Sequence, residues 1–296
     1  MIERRDPPAR HPLRRFAGKL RRSGPKAPPI AVQPMTGDRP PAIFLIGCQR
    51  SGTSLLRRIV DSHPSIACPP ETSFILPLVQ VLHDERSGRG FEAMGYAQGA
   101  VAEALAGFIA SFYERYAAAQ GKPRWADKTP HYVDALDDLW TLFGPTARFV
   151  VIVRHGLDVA YSLAAPRRHY PAIDAAVQAA GGDVPLGAGR FWSMQNRKIL
   201  DFTAAHPEAC VRITYEDVTR DPEGTLEPVF SFLGVAWDPA VLDYASVQHH
   251  AGIEDPEVTR KKRIVENSGK SSAWPADVRA KVREACEPEL SELGYS

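Results

Sequence analysis

Two glycines five residues apart bracket a short polar stretch, Gly47-Cys48-Gln49-Arg50-Ser51-Gly52-Thr53-Ser54, between an apolar run and a helical pattern. A strand, a glycine-bearing loop and a helix N-terminus together make an anion cradle, because backbone N–H groups converge there and the helix dipole favours negative charge. The spacing is that of the Walker loop, G-x-x-x-x-G-K-[ST], but Thr53 stands where that loop carries its lysine. The lysine serves a β/γ-phosphate pair with Mg²⁺, so a loop without it is poorly built for a nucleoside triphosphate. It suits an anion that needs less neutralisation, with Arg50 supplying a guanidinium from inside the loop. A plain strand-to-helix turn with no ligand is the structural alternative.

A second cation follows the same layout. Arg154 closes the run Val150-Val151-Ile152-Val153, and Ser162 stands eight residues on in a helical stretch. A guanidinium offers a compact dianion a charge-assisted fork, and a hydroxyl adds one more bond. About two helical turns between them permit convergence on one ligand. The bland reading is an ion pair of Arg154 with Asp158. Glu71, in Cys68-Pro69-Pro70-Glu71-Thr72, suits the dipole of a helix beginning near Thr72, and Lys128, in Trp125-Ala126-Asp127-Lys128-Thr129-Pro130, suits a pairing with Asp127 or a surface acid.

These segments resemble PAPS-dependent sulfotransferases, enzymes of 3′-phosphoadenosine 5′-phosphosulfate, over roughly residues 41–296. Residues 47–54 look like the family's 5′-phosphosulfate loop, in the Arg-Ser-Gly-Thr branch that includes tyrosylprotein and many bacterial sulfotransferases. Arg154 with Ser162 resembles its 3′-phosphate signature. The resemblance implies a sulfuryl transfer from PAPS to a hydroxyl acceptor, whether carbohydrate, tyrosine or small molecule, in line and without metal. It assigns Arg50, Ser51, Gly52, Thr53 and Ser54 to the phosphosulfate, and Arg154 and Ser162 to the 3′-phosphate. Tyr215, in Ile213-Thr214-Tyr215-Glu216-Asp217, is set against the adenine. Lys270 and Ser271, in a polar loop before Trp274, are set over the phosphates, and the basic run Arg260-Lys261-Lys262-Arg263 adds cationic potential or a solvated face. Glu71 becomes the base, and Lys128 with Arg50 steadies the transferring and leaving groups. Ser73 departs from the tyrosylprotein branch, which has a basic residue at that position. Other branches use histidine, which keeps His63, His131, His155 and His169 in reserve. Two rival readings are a nucleotide kinase with a degenerate Walker loop and a non-catalytic nucleotide-binding module.

The elements that must position these residues are legible as alternating patterns. Continuous apolar runs at 42–46, 148–154 and 210–215 read as strands buried on both faces, and helical segments fall around 98–119, 131–142 and 190–205. Alternation predicts an α/β fold: a mostly parallel central sheet flanked by helices, with the P-loop NTPase-like topology that the resemblance implies. Ligands in such sheets bind beyond the carboxyl ends of the strands. The Ala-, Gly- and Pro-rich stretch 165–189 reads as a lid over the acceptor or as a surface excursion.

Residues 1–40 hold ten Arg or Lys against three acids, with eight prolines, in a chain of net charge +1. They read as a disordered basic arm before one domain spanning 41–296, either solvated or in weak contact with an anionic membrane surface or acidic partner. No run is long and apolar enough to span a bilayer, so a cytoplasmic protein is the expectation. Four scattered cysteines and the absence of ligand spacing argue against a disulfide framework or a structural metal. No nucleic-acid partner is indicated, and oligomeric state is left open.

Overall fold

The computed structural model describes residues 40–165 and 171–295. The basic arm to residue 39, and the segment with Arg167, Arg168, His169 and Tyr170, lie outside the described residues. Five parallel strands form one sheet in the order β2-β3-β1-β4-β5. They are β1 (Ile43–Ile46), β2 (Ile66–Ala67), β3 (Arg124–Asp127), β4 (Arg148–Val153) and β5 (Cys210–Thr214). Parallel strands need crossovers, and helices supply them on both faces.

Alternation along each strand divides the core in two. Phe44, Ile46, Trp125, Phe149, Val151 and Val153 face one helical layer. Ile43, Leu45, Ala126, Val150 and Ile152 face the other, which includes α1 (Thr53–Ser62). β1 is wholly buried, as the unbroken apolar run requires.

The stretch read as a lid or a surface excursion contains packed helix in its described part. Helices span Pro171–Ala179 and Val184–Ala205, so the helix predicted from 190 begins earlier. Its glycines serve close packing: a Cβ at Gly187 would lie 2.5 Å from the Val177 backbone, and one at Gly189 would lie 3.0 Å from Val282. The helix Gln98–Ala119 matches its predicted span. The one expected over 131–142 opens as a 3-10 turn, Pro130–Ala135, before Leu136–Phe143 turns α-helical.

Candidate active site

Four of the five strands end in a segment with polar or aromatic chemistry, and the fifth, β2, leads to Glu71 four residues later. In sheet order the carboxyl edge therefore presents Glu71, Lys128, the 47–54 loop, Arg154 and Tyr215. Strands about 4.8 Å apart set the last four across about 14 Å, a span that one nucleotide can bridge.

The loop is held tightly. Gly52 lies at φ 97° as the N-cap of α1, and Arg50 at φ 73° also occupies the left-handed region. A Cβ on Gly52 would stand 2.5 Å from the Tyr215 ring, and one on Gly47 would stand 2.5 Å from the Ile152 carbonyl oxygen. The loop therefore presses on β4 and on the aromatic ring at once. For arginine the left-handed conformation costs about 1–2 kcal/mol. The Ser51 N–H donates to the Cys48 carbonyl at 3.1 Å and the Arg154 guanidinium donates to the Arg50 carbonyl at 3.1 Å, which help to fix it.

Arg154 is buried. Its backbone carbonyl accepts from the Trp192 indole at 3.2 Å, and its guanidinium lies 4.4 Å above the centre of the Tyr215 ring and also donates to the Asn267 carbonyl. Arg50 sends Nε to the Ser162 hydroxyl at 2.8 Å and a terminal nitrogen to Asp255 at 2.6 Å. Loop and strand end thus share one cleft, walled also by Tyr244, Lys261 and Arg263. Among the described residues, the buried donors without a protein partner include Arg154 Nε on the wall and Ser51 Oγ in the loop. A buried donor left unpaired costs about 1–3 kcal/mol, so both fit a site that receives an anion.

Asp158 does not pair with Arg154. Its carboxylate accepts from the backbone N–H groups of Gly269 at 2.6 Å and Ser271 at 3.0 Å, which ties the C-terminal polar loop to the helix Gly156–Leu163. Ser271 is thereby buried, while Lys270 is exposed at the start of the turn Lys270–Ala273. Tyr215 is buried, and burial raises its phenol pKa.

The proposed base and ammonium meet. Lys128 is fully buried and its Nζ lies 2.5 Å from a Glu71 carboxylate oxygen and 3.5 Å from Ser54 Oγ. The helix expected to begin near Thr72 begins at Ile75, so Glu71 belongs to the turn before it and serves Lys128 rather than the dipole. Among the reserve histidines, His63 is structural, with its ring nitrogens on the Ala236 carbonyl and the Ser65 N–H. His155 caps its helix by accepting from the Leu157 N–H, and burial lowers its pKa. His131 is exposed and 3.4 Å from Gln49, which brings it to the rim of the loop. His169 lies outside the described residues.

Sequence reasoning set Asp158 against Arg154 rather than against the polar loop, and it missed Asp255, the partner of Arg50. It weighed Lys261 and Arg263 evenly against a solvated run, and both line the cleft. Among the described residues no helix is long and apolar enough to cross a membrane, and no cluster of three His, Cys, Asp or Glu has metal-binding geometry.

Comparison with known proteins gives concordant findings. The model of the Sulfotransferase family matches residues 41–239. Protein-tyrosine sulfotransferase 1 of Danio rerio is 26% identical over 268 residues, covering 86% of this chain and 72% of its own length. The Homo sapiens protein of the same name is 28% identical over 271 residues, covering 86% and 70%. Among solved structures, the sulfotransferase domain from the curacin biosynthetic pathway superimposes with a TM-score of 0.61 at 23% identity, covering 87% of this chain and 99% of that domain. That last likeness speaks to the fold.

Proposed function

The chain belongs to the sulfotransferase family and is an enzyme, and from that premise we propose that it moves the sulfuryl group of PAPS onto an acceptor hydroxyl without a metal. The observation that carries the reading is the bond from Arg154 to the Arg50 carbonyl, which makes the two anion sites walls of one cleft. Residues 50–54 take the 5′-phosphosulfate, and Arg154 with Ser162 takes the 3′-phosphate. The Tyr215 ring lies beside both.

The transfer is an in-line displacement. The acceptor oxygen bonds to sulfur, the bond from sulfur to the bridging phosphate oxygen breaks, and 3′-phosphoadenosine 5′-phosphate (PAP) leaves with that electron pair. The acceptor proton passes to the Glu71 carboxylate. Lys128, beside both Glu71 and Ser54, steadies the transferring group. Arg50, which reaches Ser162 and Asp255, is assigned the charge that develops on the leaving nucleotide. The sulfonate bears one negative charge, so these cations suffice for a reaction that phosphoryl transfer runs with Mg²⁺.

Tyrosine is the acceptor to test first, because the relatives at 26–28% identity are named for it. Ser73 supplies no positive charge for an acidic peptide, which keeps carbohydrate and small phenolic acceptors in the panel. The test is transfer of ³⁵S from labelled PAPS to a tyrosine peptide, an oligosaccharide and a phenol. Labelled product is expected from at least one, and Glu71→Gln should bind PAP within two-fold of the parent while turnover falls by about 10²–10⁴. Full turnover in Glu71→Gln removes the base assignment, and no transfer to any acceptor removes the sulfotransfer reading.

A further inference from the structure

Beneath the Glu71–Lys128 pair lies a buried cluster of hydroxyls around one carboxylate. Thr72 Oγ1 donates to Asp127 Oδ2 at 2.8 Å, and the Tyr113 hydroxyl donates to the same oxygen at 2.5 Å. Thr72 Oγ1 is also 2.8 Å from the Tyr113 hydroxyl and 3.2 Å from that of Tyr132. Asp127, Tyr113 and Tyr132 are all nearly or fully buried. The Thr72 N–H reaches Thr129 Oγ1 at 3.3 Å.

The connectivity is specific. Thr72 follows Glu71, and Asp127 and Thr129 flank Lys128. Two chain segments are therefore laced together by side-chain bonds on both sides of the acid–amine contact. We infer that Thr72 and Asp127 are positioning residues that hold Glu71 against Lys128 during sulfuryl transfer. The inference rests on the reading of Glu71 and Lys128 given above.

A general need supports it. A base and a cation at one reaction centre must keep their places to within a fraction of an ångström, and side chains on separate segments do so when their supports are bonded to each other. Glu71 lies in a turn, where Ser73 adopts φ 55°, so its neighbours supply the restraint that a regular element would. Burial raises the Asp127 carboxyl pKa, while the Tyr113 and Thr72 hydroxyls and the adjacent ammonium favour its charged form.

The test compares Thr72→Val, which keeps the shape and removes the hydroxyl, with Thr72→Ser, which restores the hydroxyl. Turnover with labelled PAPS and the parent's best acceptor is measured beside PAP affinity by calorimetry. Thr72→Val should lose at least about ten-fold in turnover with PAP affinity within two-fold, and Thr72→Ser should return to within about three-fold of the parent. Turnover within two-fold of the parent in Thr72→Val overturns the inference, and so does an equal loss in Thr72→Ser. A matching loss of PAP affinity overturns it as well, because that marks a general structural defect. Should Thr72→Val fail to fold, Tyr113→Phe removes one donor to Asp127 at constant shape. A few-fold loss of turnover with intact PAP binding supports the inference there, and unchanged turnover overturns it. A parent that transfers no sulfate at all defeats the functional reading itself, a result distinct from a parent that works equally well without the Thr72 hydroxyl.

Discussion

Gly52 shows how one residue decides whether the loop can close. Its positive φ favours glycine, and its missing side chain is what allows the Tyr215 ring to lie against the loop. Gly52→Ala must strain the backbone and push the ring away, and Tyr215 is where Arg154 stacks. The expected loss of stability is about 1–3 kcal/mol, with PAP affinity falling at least ten-fold. Thermal unfolding with and without PAP checks this, and an unchanged PAP-induced shift in Tm would contradict it. At this scale the sequence disclosed charge and spacing but not partnership. Arg154 and Asp158 looked like a pair four residues apart, yet the carboxylate turns to backbone donors more than a hundred residues away. Asp255, which meets Arg50, sits in a segment with no pattern to single it out.

Elements were legible in proportion to how uniformly apolar they are. β1, β4 and β5 stand out as apolar runs, whereas β3 reads Arg-Trp-Ala-Asp and β2 has two residues, so neither carries a strand signature although both are buried. Arg124 is buried at the start of β3 because its guanidinium reaches the Leu233 carbonyl, a contact that no local pattern announces. The turn from β2 to Glu71 depends on Asp61 near the end of α1. Its carboxylate accepts from the Cys68 N–H at 2.8 Å and pairs with His249 at 2.6 Å. Burial opposes its ionisation, but the His249 and Cys68 bonds, with the charges of Arg57 and Lys122, outweigh it and hold the carboxyl below the usual range. A carboxylate depressed in the folded state contributes stability that is complete above its unfolded value, about 4, and disappears as pH falls through the folded one. Asp61→Asn should therefore lower Tm at pH 7, with the gap from the parent narrowing as the pH is lowered below about 4. A gap that stays constant with pH would contradict this.

Across the whole molecule, sheet order converts distant motifs into a sequence of roles. Residues 71, 128, 50–54, 154 and 215 are scattered along the chain, yet they follow one another along the carboxyl edge, with the proposed chemistry at one end and the Tyr215 ring at the other. The parallel sheet was readable, and the glycine loop and the strand-terminal arginine stood out because each carries its own physics. The meeting of Glu71 and Lys128 was not readable from composition or period, since it requires β2 to lie beside β3. In the proposed reading the loop and Arg154 grip opposite ends of one bisphosphorylated nucleotide. Calorimetry of PAP and of adenosine 5′-phosphate, on the parent and on Arg154→Ala, decides whether they do. A charge-assisted contact of about 1.5–3 kcal/mol predicts that the parent prefers PAP by about 10- to 150-fold and that Arg154→Ala erases the preference while still binding adenosine 5′-phosphate. Equal affinity of the parent for both nucleotides, or an undiminished preference in Arg154→Ala, would contradict it.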